Sequence, residues 1–312
     1  MSLPTTPITL PTRVEYAVLA AEVAAVTPVG RHLVRVTFRG DELRSVHAAG
    51  FDQRIKIAVP HPVTGSRHIP RATDWFAAWR AMPEQERCVL RTYTIRAARP
   101  EVGELDVDFV VHGDEGPATR WVRRARVGEI IHLVAPEAIG PVAADAPAPG
   151  VEWNPGDAAR VLLAGDESAA PAICSILESL PRKARGRAFI EVPSEADVQP
   201  VAAPGGVTVT WLARESRPEL EHGVALDRAV RAYVSEMVVT DDGGEGLDEI
   251  DVDADALWEV PAATPSRELY AWLAGEAGCI AGLRRHLVRE VGLHRSDVAF
   301  MGYWRRGRSE LG

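Results

Sequence analysis

One change of texture divides this 312-residue chain. Up to about residue 141 the apolar runs are short, rich in β-branched residues and punctuated by Gly and Pro. From residue 158 onward, apolar runs alternate with stretches of helical spacing. Between them lies VAADAPAPGVEWNPGD, residues 142–157, where Ala, Pro and Gly dominate. A chain of this length can bury two cores. The expectation is a domain over 1–141, a linker over 142–157 and a second domain over 158–312.

The first part contains six strand-like segments: RVEYAVLAAEVAAVTP, RHLVRVTFRG, QRIKIAVP, CVLRTYTIR, ELDVDFVVHG and EIIHLVAP. Their turn punctuation predicts an antiparallel β-barrel. One helix interrupts them, PATRWVRRARVG, opened by Pro117 and closed by Gly128. In the second part, ARVLLAGD, GRAFIEVP, VTVTWLAR and YAWLAGE read as strands and ESAAPAICSILESLP as a helix. GCIAGLRRHLVREVG reads as an amphipathic helix with Ile280, Leu283, Leu287 and Val291 on one face. Strand–helix alternation predicts an α/β domain on a parallel sheet, with ligands at the carboxyl ends of its strands. An acidic insertion at 240–259 and a C-terminal extension complete it. Asp241 to Glu259 carries nine acidic residues and no basic one, without the spacing of a calcium loop, and is expected to be solvated.

The net charge of −9 argues against non-specific binding to nucleic acid or an anionic membrane. Cys88, Cys174 and Cys279 form neither a zinc spacing nor a disulfide framework, which suits a reducing compartment. No segment reaches membrane-spanning length and no signal peptide is visible. A cytoplasmic protein is expected, with a monomer as the default. No His, Cys and carboxylate set has metal-ligand spacing, so no protein-held metal is expected.

The segment RTYTIR, residues 91–96, is unusual for a strand. Alternation places Arg91, Tyr93 and Ile95 on one side and Thr92, Thr94 and Arg96 on the other, and neither face is simply apolar. A flat, anionic ligand would suit such a strand. GPATRW offers a second anion contact: Gly116, Pro117 opening a helix, the amides of Ala118 and Thr119, and the Thr119 hydroxyl. His112 precedes this turn. After the first strand of the second part come Gly165, Asp166, Glu167 and Ser168, with Ser168 suited to cap a helix. This is not a GxGxxG fingerprint.

With these residues in hand, RTYTIR resembles the flavin-binding strand of the ferredoxin–NADP reductase superfamily. The second arginine makes it similar to the siderophore-interacting proteins, FAD-dependent ferric-siderophore reductases. HGDEGPATRW, LLAGDESAAPAI and YAWLAGEAGCIAGLRRHLVREVGL followed by FMGYWRRGRSE agree, in order, from about residue 13 to the end.

The resemblance implies FAD held by Arg91, Tyr93, Thr94, Ile95, Arg96, His112, Gly116, Ala118 and Thr119. Tyr93 would lie on the flavin ring, Thr94 near its N5 edge and Arg91 on the pyrophosphate. It implies a nicotinamide dinucleotide at Gly165, Asp166, Glu167, Ser168 and Gly275, with Arg214 at the adenosine ribose phosphate favouring NADPH over NADH. Arg214 pairing with Glu215 is the alternative. Glu276 would orient the nicotinamide or cap the following helix. Lys56, Arg120, Arg124, Arg305 and Arg306 would draw an anionic ferric siderophore. Two other functions stay open: a reductase of the same fold serving a ferredoxin or flavodoxin, and a non-catalytic carrier of ferric siderophores.

Overall fold

The computed structural model of the chain describes residues 13–111, 116–140, 142, 148–236, 258–260 and 268–307. Its first sheet contains β1 (Arg13–Pro28), β2 (Leu33–Arg39), β3 (Arg54–Val59), β4 (Val89–Thr94), β5 (Ala97–Arg99), β6 (Glu104–Val110) and β7 (Ile130–Ile139). The order is β4-β3-β7-β1-β2-β6-β5, antiparallel throughout. The sixteen residues of β1 serve two partners: Arg13 to Glu22 pair with β7, and Glu22 to Pro28 with β2. A register shift between Val23 and Ala25 marks the changeover, the kind of irregularity that curls a sheet.

Two interruptions sit on this sheet. α1 (Trp75–Ala81) sends Trp75 and Trp79 onto the outer face, against Val18, Ala58, Leu90 and Val134. α2 (Pro117–Val122) closes one end, with Trp121 packed on the inner core of Phe38, Ile57, Val107 and Phe109. The expected helix over 117–128 is therefore shorter, ending near Val122.

The second sheet holds β8 (Arg160–Gly165), β9 (Arg185–Val192), β10 (Gly206–Ala213), β11 (Trp258–Glu259), β12 (Leu269–Glu276) and β13 (Val298–Trp304), in the order β10-β9-β8-β12-β13-β11. Five strands are parallel, and the two-residue β11 adds an antiparallel edge, so the sheet is mixed rather than wholly parallel. Both faces are covered, as parallel strands require. α3 (Ala170–Ser179) packs over Leu163, Ala188 and Ile190. α4 (Val224–Ser235) and α5 (Ala277–Arg285) pack over Leu162, Ala164 and Leu273. The long C-terminal helix is split: α5 passes into a π-turn over His286–Glu290. Ile280, Leu283 and Leu287 are buried as their spacing predicts.

The sheets are tied together by polar contacts. Asp52, 1% exposed, accepts from the amides of Glu152 and Trp153 and from Trp272 Nε1 on β12. Ser179 Oγ, at the end of α3, accepts from the Phe51 amide at 3.1 Å. Asp197 accepts from the His32 amide and lies 2.7 Å from its Nδ1. Among the described residues, no helix is long and apolar enough to cross a membrane.

Candidate functional site

The RTYTIR strand changes partners in mid-sequence. Through Thr94 it pairs with β3, and the Ile95 amide still donates to Gln53 O at 2.9 Å. The Arg96 amide donates instead to Asp106 O on β6, at 2.9 Å, and β5 continues that ladder. The edge strands β4 and β5 share no ladder with each other, so this crossing of the chain links the two edges of the curled sheet.

Cross-strand partners show where the side chains go. Arg91 and Tyr93 stand opposite Ile57 and Ile55, on the core side, and Ile95 is buried in the same core. The Tyr93 ring lies 4.4 Å from that of Phe109, tilted 43°, and burial pushes its phenol pKa up. Arg91 Nη1 donates to Leu90 O. Thr94, nearly buried, stands opposite Arg54 on the outer side, where Lys56 Nζ donates to Thr92 Oγ1 at 3.0 Å. Arg96 has partners of its own. Its Nη1 and Nη2 donate to the two oxygens of Glu178 on α3, at 2.7 and 2.8 Å, and Nε lies 3.9 Å from Asp108. Arg96, expected among the FAD-binding residues, thus joins the first sheet to a helix of the second domain.

Gly116 stands at the cap of α2, and among the described residues no side chain caps its first turn or accepts from the Ala118 and Thr119 amides. Gly116 itself has extended backbone, and a Cβ there would meet nothing nearer than Thr119 Oγ1 at 3.7 Å. Beside the helix opens a cleft of about 760 Å³, bordered by the His61–Gly65 turn, Arg67, Arg120, Trp121, Arg124 and Arg126. Arg67 is paired with Glu129 at 2.7 Å, so the arginines outnumber the carboxylate on this cleft.

At the other end of the molecule, strand order reverses between β8 and β12. Successive strands β8, β9 and β10 run one way from that line, β12 and β13 the other, and such a reversal opens a crevice at the strands' carboxyl ends. Asp166 and Glu167 follow β8 directly and are 1% and 2% exposed. One Asp166 oxygen accepts from the Ser168 amide and hydroxyl; the other accepts from the Glu276 amide and Trp304 Nε1, both at 2.8 Å. Gly275 makes this approach feasible, since it sits at φ 146° and a Cβ there would come within 2.7 Å of Asp166 Oδ2.

Arg214 donates through both Nη atoms to Glu167 at 2.8 Å, and through Nη1 to Glu191 at 3.3 Å. Its carboxylate partners are therefore Glu167 and Glu191 rather than Glu215, the alternative expected. Glu191, fully buried, also accepts from the amides of Gly223 and Leu226 at the start of α4. His222 Nε2 lies 3.5 Å from Asp166 Oδ2 and 3.7 Å from Glu167 Oε2, beyond hydrogen-bond reach, and its ring meets Trp304 edge-on. Asp166, Glu167 and His222 have the atoms of a cation site. Their carboxylates, however, already hold N–H donors and a guanidinium.

Charge here is finely set. Burial raises the Asp166 pKa, and Glu167 raises it further. Burial would raise Glu167 too, but His222 and Arg214 hold it down at about 2. For His222, burial acts downward but the two carboxylates outweigh it, so its pKa is raised.

Glu276 caps α5, its Oε2 accepting from the Cys279 amide, and Oε1 accepts from the Arg306 amide. Arg305 and Arg306 therefore sit beyond β13 beside Glu276, while Arg120 and Arg124 border the α2 cleft and Lys56 projects from β3. Within this set, only Arg120 and Arg124 border the α2 cleft. His112 and residues 240–257 of the acidic insertion lie outside the described residues.

Sequence profiles decide the family. The siderophore-interacting protein profile matches residues 158–307, and the siderophore-interacting FAD-binding domain profile matches residues 22–139. The chain belongs to the siderophore-interacting protein family. The chain is similar to a Mycobacterium tuberculosis protein, 33% identical over 296 residues, 93% of this chain and 91% of the relative. The ferric vibriobactin reductase ViuB of Vibrio cholerae is 28% identical over 282 residues, 90% and 87% of the two chains. A solved siderophore utilization protein from T. fusca superposes with a TM-score of 0.69 at 29% identity, covering 96% of this chain and 98% of the other. The expected architecture, an antiparallel barrel followed by an α/β domain, is present as a curled antiparallel half-barrel, open between β4 and β5, followed by an α/β domain on a mixed sheet. His222, Glu191, Trp304 and Asp52 were not anticipated as site residues; only Trp304 falls in a quoted motif, FMGYWRRGRSE, and tertiary contact alone shows their roles.

Proposed function

We propose that the protein is an FAD-dependent ferric-siderophore reductase that takes electrons from a nicotinamide dinucleotide. The observation that carries this reading is the partner switch at RTYTIR. It sets Arg91, Tyr93 and Thr94 just before the chain crosses between the two edges of the first sheet, while the neighbouring Arg96 is clamped to α3. Bound FAD supplies the conversion of a two-electron hydride into single-electron transfers to iron.

The chain's own residues bind and orient. The uncapped first turn of α2 and the Arg91 guanidinium suit a pyrophosphate, and the arginine-bordered cleft beside α2 suits the anionic end of the same cofactor. The half-buried Tyr93 ring offers a flat apolar wall and Thr94 a hydroxyl. Across the junction, Asp166 fixes the Glu276 turn and Trp304 at the mouth of the crevice. A division of labour on either side of residues 142–157 is supported by profile matches to 22–139 and 158–307. The ferric siderophore is substrate, and its iron arrives already chelated. Hard oxygen ligands hold Fe(II) less tightly than Fe(III), so reduction favours release. Arg120, Arg124, Arg305, Arg306 and Lys56 supply positive charge toward an anionic chelate.

The test is anaerobic visible absorbance of the FAD-loaded protein through successive additions of NADH, NADPH and a ferric siderophore. Bleaching by a nicotinamide and recovery with the chelate are expected. Bleaching without recovery points to a protein acceptor, and failure to hold FAD would sink the reading in favour of a siderophore carrier.

A further inference from the structure

In doubly wound sheets the ribose of a dinucleotide's adenosine lies near the carboxyl end of the second strand. There a carboxylate selects a free 2′-hydroxyl and an arginine accepts a 2′-phosphate. The second strand here is β9, flanked by β10. Glu195 follows β9 and Glu215 follows β10, and both are exposed. They are laced together: Glu215 Oε1 accepts from Ser194 Oγ and from the Glu195 amide at 2.7 Å each, and Glu195 Oε1 accepts from Ser216 Oγ at 2.9 Å. Behind them Asp197 is buried on His32.

The positive groups on this rim are largely engaged. Arg214 is held through both Nη atoms by Glu167 and by Glu191. Arg31 lies 3.7 Å from Glu215, and Arg217 is exposed next to Arg214. On the rim itself Glu195 and Glu215, with Asp197 buried behind them, thus stand with Arg31 and Arg217, while Arg214 is taken up by the buried Glu167 and Glu191. A 2′-phosphate would bring close to two further negative charges to a rim already in negative excess. A 2′-hydroxyl would find a carboxylate to which it can donate.

We propose that the ends of β9 and β10 select a free 2′-hydroxyl through the Glu195 carboxylate and exclude a 2′-phosphate, making NADH rather than NADPH the donor. The proposal rests on the reading of the protein as a nicotinamide-driven flavin reductase and reverses the preference that Arg214 suggests when read from sequence alone.

Two readouts on the FAD-loaded protein test it. Calorimetry compares ADP-ribose with 2′-phospho-ADP-ribose, and anaerobic stopped-flow compares flavin bleaching by NADH and NADPH. The expected result is about tenfold tighter binding of ADP-ribose, with a similar ratio in bleaching rate at low dinucleotide. Glu195→Arg should move both ratios toward the phosphorylated ligands by about tenfold or more while the flavin spectrum stays that of the parent; Glu195→Gln should fall between. Preference of the parent for the 2′-phosphate would overturn the proposal and leave the donor reading standing. Ratios unmoved in Glu195→Arg would overturn the assignment to this residue. If neither dinucleotide binds or bleaches a flavin that dithionite does bleach, the nicotinamide reading itself falls, and the proposal with it.

Discussion

The cleft beside α2 and the crevice at the ends of β8 and β12 are both rich in charge, yet they are built on opposite plans. On the cleft, Arg120, Arg124 and Arg126 stand on an open surface beside a helix start that no side chain caps. In the crevice, Asp166, Glu167 and Glu191 are buried, and their oxygens already receive four backbone amides, a hydroxyl, an indole and the Arg214 guanidinium. The first plan sets its positive charge along the border of an open cleft. The second uses its charge to fix the protein's own turns, so that a ligand meets a preformed wall. A charged residue next to a cleft is therefore weak evidence of ligand contact until its own partners are known.

Substitution should separate the plans most sharply at Asp166. Asp166→Ala strands the donors of Ser168, Glu276 and Trp304, and an expected loss of about 3 kcal/mol in denaturant unfolding follows from several buried donors left unpaired. Arg124→Ala on the cleft should change stability by less than about 0.5 kcal/mol, as exposed substitutions do. Equal losses at the two positions would erase the distinction.

Between the two regions runs the Arg96–Glu178 pair. With Arg96 nearly buried and both Nη atoms engaged, a double-mutant cycle of Arg96→Met and Glu178→Met should give a coupling of about 1–2 kcal/mol. Arg96 at a cofactor phosphate predicts something else: lost FAD affinity in Arg96→Met that Glu178→Met does not share. On β4, Arg91→Ala should weaken FAD about tenfold or more, read by flavin fluorescence on titration, with little change in unfolding.

How much of this was readable beforehand differs by element. Strands declared themselves through β-branched runs between Gly and Pro: β2, β3 and β6 lie within the segments expected, and β7 runs three residues past its own. α4 was legible and went unread: Leu226, Val230 and Val234 recur at four-residue intervals, and all are buried. α1 was harder, because seven residues between turns give one helical repeat, Trp75 and Trp79, and no caps to confirm it. RTYTIR was half legible. Its alternation held to Thr94 and then failed at Arg96, where the chain leaves one ladder for another. No local pattern encodes that switch, since it depends on where β6 lies. Arg214 shows the same limit: its carboxylate partners are 47 and 23 residues away in sequence, and only folding brings them within 3.3 Å.

The smallest effect expected is one of pH, and it belongs to the crevice alone. His222 is nearly buried between Asp166 and Glu167, with Arg214 on the far side of Glu167 and Trp304 against its ring. Burial disfavours its charged form, but the carboxylates prevail and its folded pKa lies above the ordinary value near 6.5. A histidine shifted upward binds its proton more tightly when folded than when unfolded. The resulting stabilisation is complete below about pH 6.5 and disappears as pH rises through the higher folded value. Thermal unfolding followed from pH 6 upward should show a modest fall in Tm beginning near pH 6.5, absent in His222→Gln and retained in Arg124→Ala. A parent whose Tm rises across that interval would mean that His222 is held neutral, and that Arg214 alone balances the two buried carboxylates.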